Sequence, residues 1–175
     1  MAGDELSEEQ ARGRRVYGQV TIYAFLISTV IGLAVMWWDL KTMTIPLWLS
    51  VGAGVVFLAF IALALPMDEV FARLITAGVV FVAGLAMFFA GGMGGGDVKA
   101  ATAFALMIAP ADRGVALVML AVFGLLGIII LAILRRTRLA NGGWAVWHAP
   151  RSFPYGIALS ATLITYMGLT VLFLR

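Results

Sequence analysis

Long apolar runs broken by short polar turns dominate the chain after its first 19 residues. Runs over 20–38, 45–67, 74–93, 114–134 and 153–174 each have the roughly 20 residues that an α-helix needs to cross a bilayer. They predict five spans. A sixth apolar stretch, 98–109, is closed by Pro110 and is much shorter. At 1.5 Å per residue it rises about 18 Å against a hydrocarbon core of about 30 Å, so it crosses only with a recessed end or with help from its neighbours. Ala101, Ala105 and Ala109 recur along it at every fourth position, a spacing that lets neighbouring backbones come close and places it inside the bundle. The expected fold is all-α: a polytopic helical membrane protein of about six spans with a short fourth one. Residues 1–19 read as a polar tail or surface helix, and 20–175 as a single membrane domain.

Composition supports a lipid environment, because 63% apolar residues and a mean hydropathy of +1.05 exceed what one soluble core requires. The first run is longer than a signal-peptide core and ends in Trp-Trp-Asp-Leu-Lys, so it reads as a retained span. There is no cysteine, and His148 is the only histidine, which excludes a thiolate metal site and makes a histidine zinc site hard to build. A net charge of +3 is dispersed, and its densest cluster, Arg135, Arg136 and Arg138, follows an apolar run, as a membrane flank rather than a nucleic-acid surface does. The basic residues divide six and six between the two faces, so the positive-inside rule does not orient the chain. In the loop 135–152, Trp144, Trp147 and His148 read as interfacial belt residues or as a rim for a substrate, with Asn141-Gly142-Gly143 as a turn.

Outside the tail the acids are few: Asp39, Asp68, Glu69, Asp97 and Asp112. Asp68, Glu69 and Asp112 fall in turns between spans, where solvated roles are expected. Span parity puts Asp39, after the first span, and Asp97, before the fourth, at one membrane face. Two carboxylates brought together there can share a proton, one acting as base on water and the other as acid to an amide. The simpler alternatives are a polar span end for Asp39 and a helix N-cap for Asp97. Five glycines among the six residues before Asp97 favour the catalytic reading, since they leave room for another backbone. A small transporter or channel, using the two aspartates for cation or proton binding, is the competing class. It fits less well, because the spans place almost no polar groups through the membrane depth.

Gly94-Gly95-Gly96-Asp97 fits the Gly-x-Gly-Asp signature of intramembrane aspartyl proteases, and the string 91–99, Gly-Gly-Met-Gly-Gly-Gly-Asp-Val-Lys, resembles the form found in prepilin peptidases. Asp39-Leu-Lys-Thr-Met-Thr-Ile-Pro46 resembles that family's first catalytic segment, and Pro154-Tyr155-Gly156 is similar to its closing one. The size resembles the minimal form serving tight-adherence (Flp) pilus assembly. The resemblance implies an aspartic endopeptidase of the bacterial inner membrane that cuts after a glycine at the cytoplasmic face to remove the leader of a type IV-like prepilin or pseudopilin. It further implies Asp39 and Asp97 as catalytic residues, with Gly94, Gly96, Pro46 and Lys99 shaping the loop or the substrate site. No metal or cofactor and no nucleic-acid partner is implied, whereas the lipid bilayer and the pilus assembly machinery are. Two departures stand out: Leu47 replaces the asparagine usual after Ile-Pro, and the absence of any cysteine removes the zinc insert of the bifunctional members, so methyltransferase activity is not expected.

Overall fold

The computed structural model describes the backbone of residues 2–137, 143–148 and 153–173, and the side chains of these except 2–17 and 60–64. Among the described residues every regular element is helical: α1 (Ala2–Thr42), α2 (Leu47–Ala64), α3 (Met67–Phe89), α4 (Gly95–Ala105), α5 (Arg113–Leu134), the short α6 (Ala145–His148) and α7 (Tyr155–Phe173), with a 3-10 turn at Pro110–Asp112 before α5.

Four segments are long and apolar enough to cross a membrane: Gly18–Thr42, Met67–Phe89, Pro110–Leu134 and Tyr155–Phe173. α2, at 18 residues, rises about 27 Å and adds a shorter apolar helix. Large apolar side chains on α3 and α5, among them Ile75, Val79, Val82, Leu117, Val118 and Ile133, point away from the protein interior, which suits a lipid surround and would be a liability in water. α1 is unbroken through the polar N-terminal residues, and its 41 residues rise about 60 Å, roughly twice the hydrocarbon thickness.

Polar and glycine positions set where these helices stop. α3 begins after Pro66 with Asp68 and Glu69 in its first turn, where carboxylates favour the helix dipole. It ends in a Schellman closure: Gly91 takes a left-handed φ of 74°, its N–H donates to the Phe88 carbonyl, and the Gly92 N–H donates to that of Met87 at 2.9 Å. So the first two glycines of the cluster serve as a helix stop, while Gly94 to Gly96 open the next helix.

α4 lies inside the bundle as its length predicts, against α2, α3 and α7. Its bounds differ from the apolar run 98–109. The helix starts three residues earlier, because first-turn N–H groups need no helical partner and Gly94 caps it in extended conformation, and it loosens into 3-10 bonds after Ala105 as Pro110 approaches. Of the expected stripe Ala105 is buried, while Ala101 and Ala109 are only partly so. Ala100 and Ala103 are the other small buried residues of α4, with Ala103 facing Gly54 of α2, while Val98 fits into the notch at Gly84 of α3.

A half-length helix leaves backbone polar groups unpaired past its end, and two side chains answer this, one for a carbonyl and one for an N–H. Buried Arg73 of α3 donates through Nη1 to the Leu106 carbonyl at 3.2 Å and through Nη2 and Nε to Glu69 Oε1 at 2.6 and 3.1 Å. Tyr166 of α7 accepts the Ala109 N–H at 3.0 Å and donates its hydroxyl proton to Asp112 at 2.8 Å. Glu69 and Asp112, expected to be solvated turn residues, are thus the outer anchors of the α4 terminus. Their signal was only partly readable, in the Glu69–Arg73 spacing of four residues on one helix.

Candidate active site

Asp39 sits in the last turn of α1, which runs on to Thr42 rather than stopping at Trp38. Its side chain is only 2% exposed. The helix closes with the Met43 N–H on the Asp39 carbonyl, Met43 takes a φ of 54°, and residues 44–46 form no regular element before α2 begins at Leu47. Asp97 lies at the third residue of α4, inside its first turn. Its Oδ2 accepts the Gly94 N–H at 3.2 Å, so it does cap the helix, as the simpler alternative held. The cap uses one oxygen. The other, Oδ1, is buried and has no hydrogen-bonding partner among the described residues.

The two carboxylates come close enough to interact electrostatically. What permits the approach is Gly96. A Cβ there would stand 3.0 Å from both the nitrogen and the oxygen of Ile45, so the segment between α1 and α2 crosses directly over the start of α4, and a side chain at this position would have to push its backbone away. Pro46 acts locally: it lacks an N–H, directly precedes α2, and its carbonyl accepts the Leu49 N–H at 3.1 Å in the first turn of that helix.

A third backbone segment completes the site. The N–H of Gly156, in the first turn of α7, donates to Asp39 Oδ2 at 2.7 Å in a buried bond that joins positions 117 residues apart. Both carboxylates therefore accept one glycine N–H at the start of a helix, where the partial positive charge of the dipole offsets the clustering of two acids. Such a pair can hold one proton between them while orienting a water molecule.

Lys99 is exposed and forms no ion pair with Asp97 among the described residues. Leu47 is 56% exposed at the head of α2, pointing off the packed interior. On the α5–α7 connection, Arg135 donates to the buried Val146 residue's carbonyl at 3.2 and 3.0 Å, and Trp144 meets Trp37 of α1 edge-on at 4.9 Å, which pins α6 beside the end of the helix that carries Asp39. Arg138, Asn141, Gly142 and Arg151 lie outside the described residues.

Fold and site together define a polytopic helical membrane protein with a pair of carboxylates at one end of its bundle. Residues 25–135 match the model of the type IV leader peptidase family, and the chain belongs to that family of proteases. The matched region holds Asp39, Asp97 and the glycines between them, and ends before Gly156. Comparison with curated proteins finds no match, and comparison with solved structures finds none either.

Proposed function

We propose that the protein is an aspartic endopeptidase of the bacterial inner membrane that removes the leader of a type IV-like prepilin, of the kind used in tight-adherence (Flp) pili, by cutting after a glycine at the cytoplasmic face. The observation that carries this reading is that Asp39 and Asp97 lie near enough for their charges to interact, each accepting a glycine N–H, in a chain of this family. One carboxylate takes a proton from water as the water attacks the scissile carbonyl, and the other gives a proton to the departing amine nitrogen. The proton taken from water replaces the one given to the amine, so the pair again holds a single proton when the products leave. Membership of a protease family favours this over the transporter reading of the same two aspartates.

The test is cleavage of a leader-bearing prepilin by protein reconstituted in liposomes. Asp39→Ala and Asp97→Ala are each expected to abolish processing while leaving the amount of protein in the membrane unchanged. Processing retained by either variant would remove that residue from the reaction.

A further inference from the structure

The segment that brings Gly156 to Asp39 is held more firmly than a loop-to-helix junction requires. Pro154 is fully buried. The Phe153 ring lies over α5 at Gly127, where a Cβ would come within 2.9 Å of it, and the same ring meets Tyr155 edge-on at 5.4 Å. Gly156 itself has no room for a side chain: a Cβ would stand 2.7 Å from Asp39 Oδ2 and 2.9 Å from Asp39 Cβ. Its N–H is one of the first-turn donors that a helix leaves without an internal partner, and it is spent on a carboxylate in a buried setting.

We infer that the Gly156 N–H is a positioning group for cleavage: it fixes Asp39 Oδ2, and with it the rotamer of the whole carboxylate, so that the remaining oxygen meets water and the Asp97 side in one orientation. This deepens the proposed function and rests on its assignment of Asp39. Asp97 is held in the same manner by Gly94, but from within its own helix turn. Asp39 is held from a helix more than a hundred residues away, so the relative placement of the pair depends on how α7 is seated against α1.

The test replaces Gly156 by glycolic acid in the full-length protein, an amide-to-ester exchange that deletes the N–H and adds no atoms to the site. A positioning role predicts a fall in kcat of about 10- to 100-fold, the range expected on losing a hydrogen bond to a charged group. KM for the prepilin should stay within about twofold, and the unfolding temperature should drop by no more than a few degrees. Gly156→Ala, which keeps the N–H but pushes Asp39 aside, is expected to lose at least as much kcat. A kcat loss smaller than about fivefold in the ester variant overturns the inference, as does a loss that merely follows a collapse in unfolding temperature. Asp39→Ala, assayed beside it, separates the two readings. If that variant still cleaves, the assignment of Asp39 fails. If it is inactive while the ester variant works normally, only the positioning role fails.

Discussion

At the scale of single residues, the site is governed by what glycine leaves out. Gly96→Ala would force a methyl group against the Ile45 backbone, which cannot turn aside as a side chain would, so it is expected to cost about 1–3 kcal/mol and most of the activity. Thermal unfolding and prepilin cleavage of the purified variant check both. Lys99 makes the opposite case: it is exposed and unpaired with Asp97, and Lys99→Ala is expected to keep turnover within about threefold in the same assay. Asp39, Asp97, Gly94 and Gly96 were legible in the sequence because a resemblance pointed to them and because glycines crowd a position that a cap alone would not demand. The bond to Gly156 was not legible as such. The sequence shows Pro154-Tyr155-Gly156 as a likeness only, and nothing in local pattern says which distant acid a helix N-terminus will meet. Leu47, at odds with the family habit, proves to be an exposed residue at the head of α2 that takes no part in holding the carboxylates.

At the scale of elements, α4 is the helix on which the protein turns. It is too short to cross alone, and its first turn carries Asp97, so its depth is set by how its other end is held. Arg73 and Tyr166 do that holding. Arg73→Leu would leave the Leu106 carbonyl and the Glu69 carboxylate without their donor and is expected to destabilise by roughly 3 kcal/mol, read as a lowered unfolding temperature in detergent. Joint replacement, Glu69→Leu with Arg73→Leu, should recover part of that loss, since an unpaired buried charge costs more than an absent pair. Tyr166→Phe loses one bridge and is expected to cost about 1 kcal/mol with kcat unchanged. The half-length of α4 and its place inside the bundle could be read from run length and small residues. Its packing face could be read only in part, because with alanine at four of the eleven helical positions the sequence offers several small-residue stripes and only the neighbours choose among them.

At the scale of the molecule, the order of long apolar runs was enough to foresee a helical bundle with both acids at one end, since each crossing reverses direction. It was not enough to orient the bundle, because the basic residues balance between the two faces. The chain lacks cysteine, so single cysteines can report the answer directly. Exposed positions 99 and 111 lie at the two ends of the segment that contains α4. In intact cells, Lys99→Cys is expected to resist a membrane-impermeant thiol reagent and Ala111→Cys to react with it. The reverse pattern would put the carboxylates outside the cell.

The crossing of Ile45 over Gly96 also decides how this protein can vary. Every amino-acid change at a glycine codon adds a side chain, so no exchange there is conservative, and drift cannot test the position by small steps. The anchors at the far end of α4 are another matter, where a pair can be traded for another pair. Random libraries screened for pilin processing should therefore leave Gly96 and Gly156 blank in the surviving clones, with compensated changes gathering around Arg73 and Tyr166.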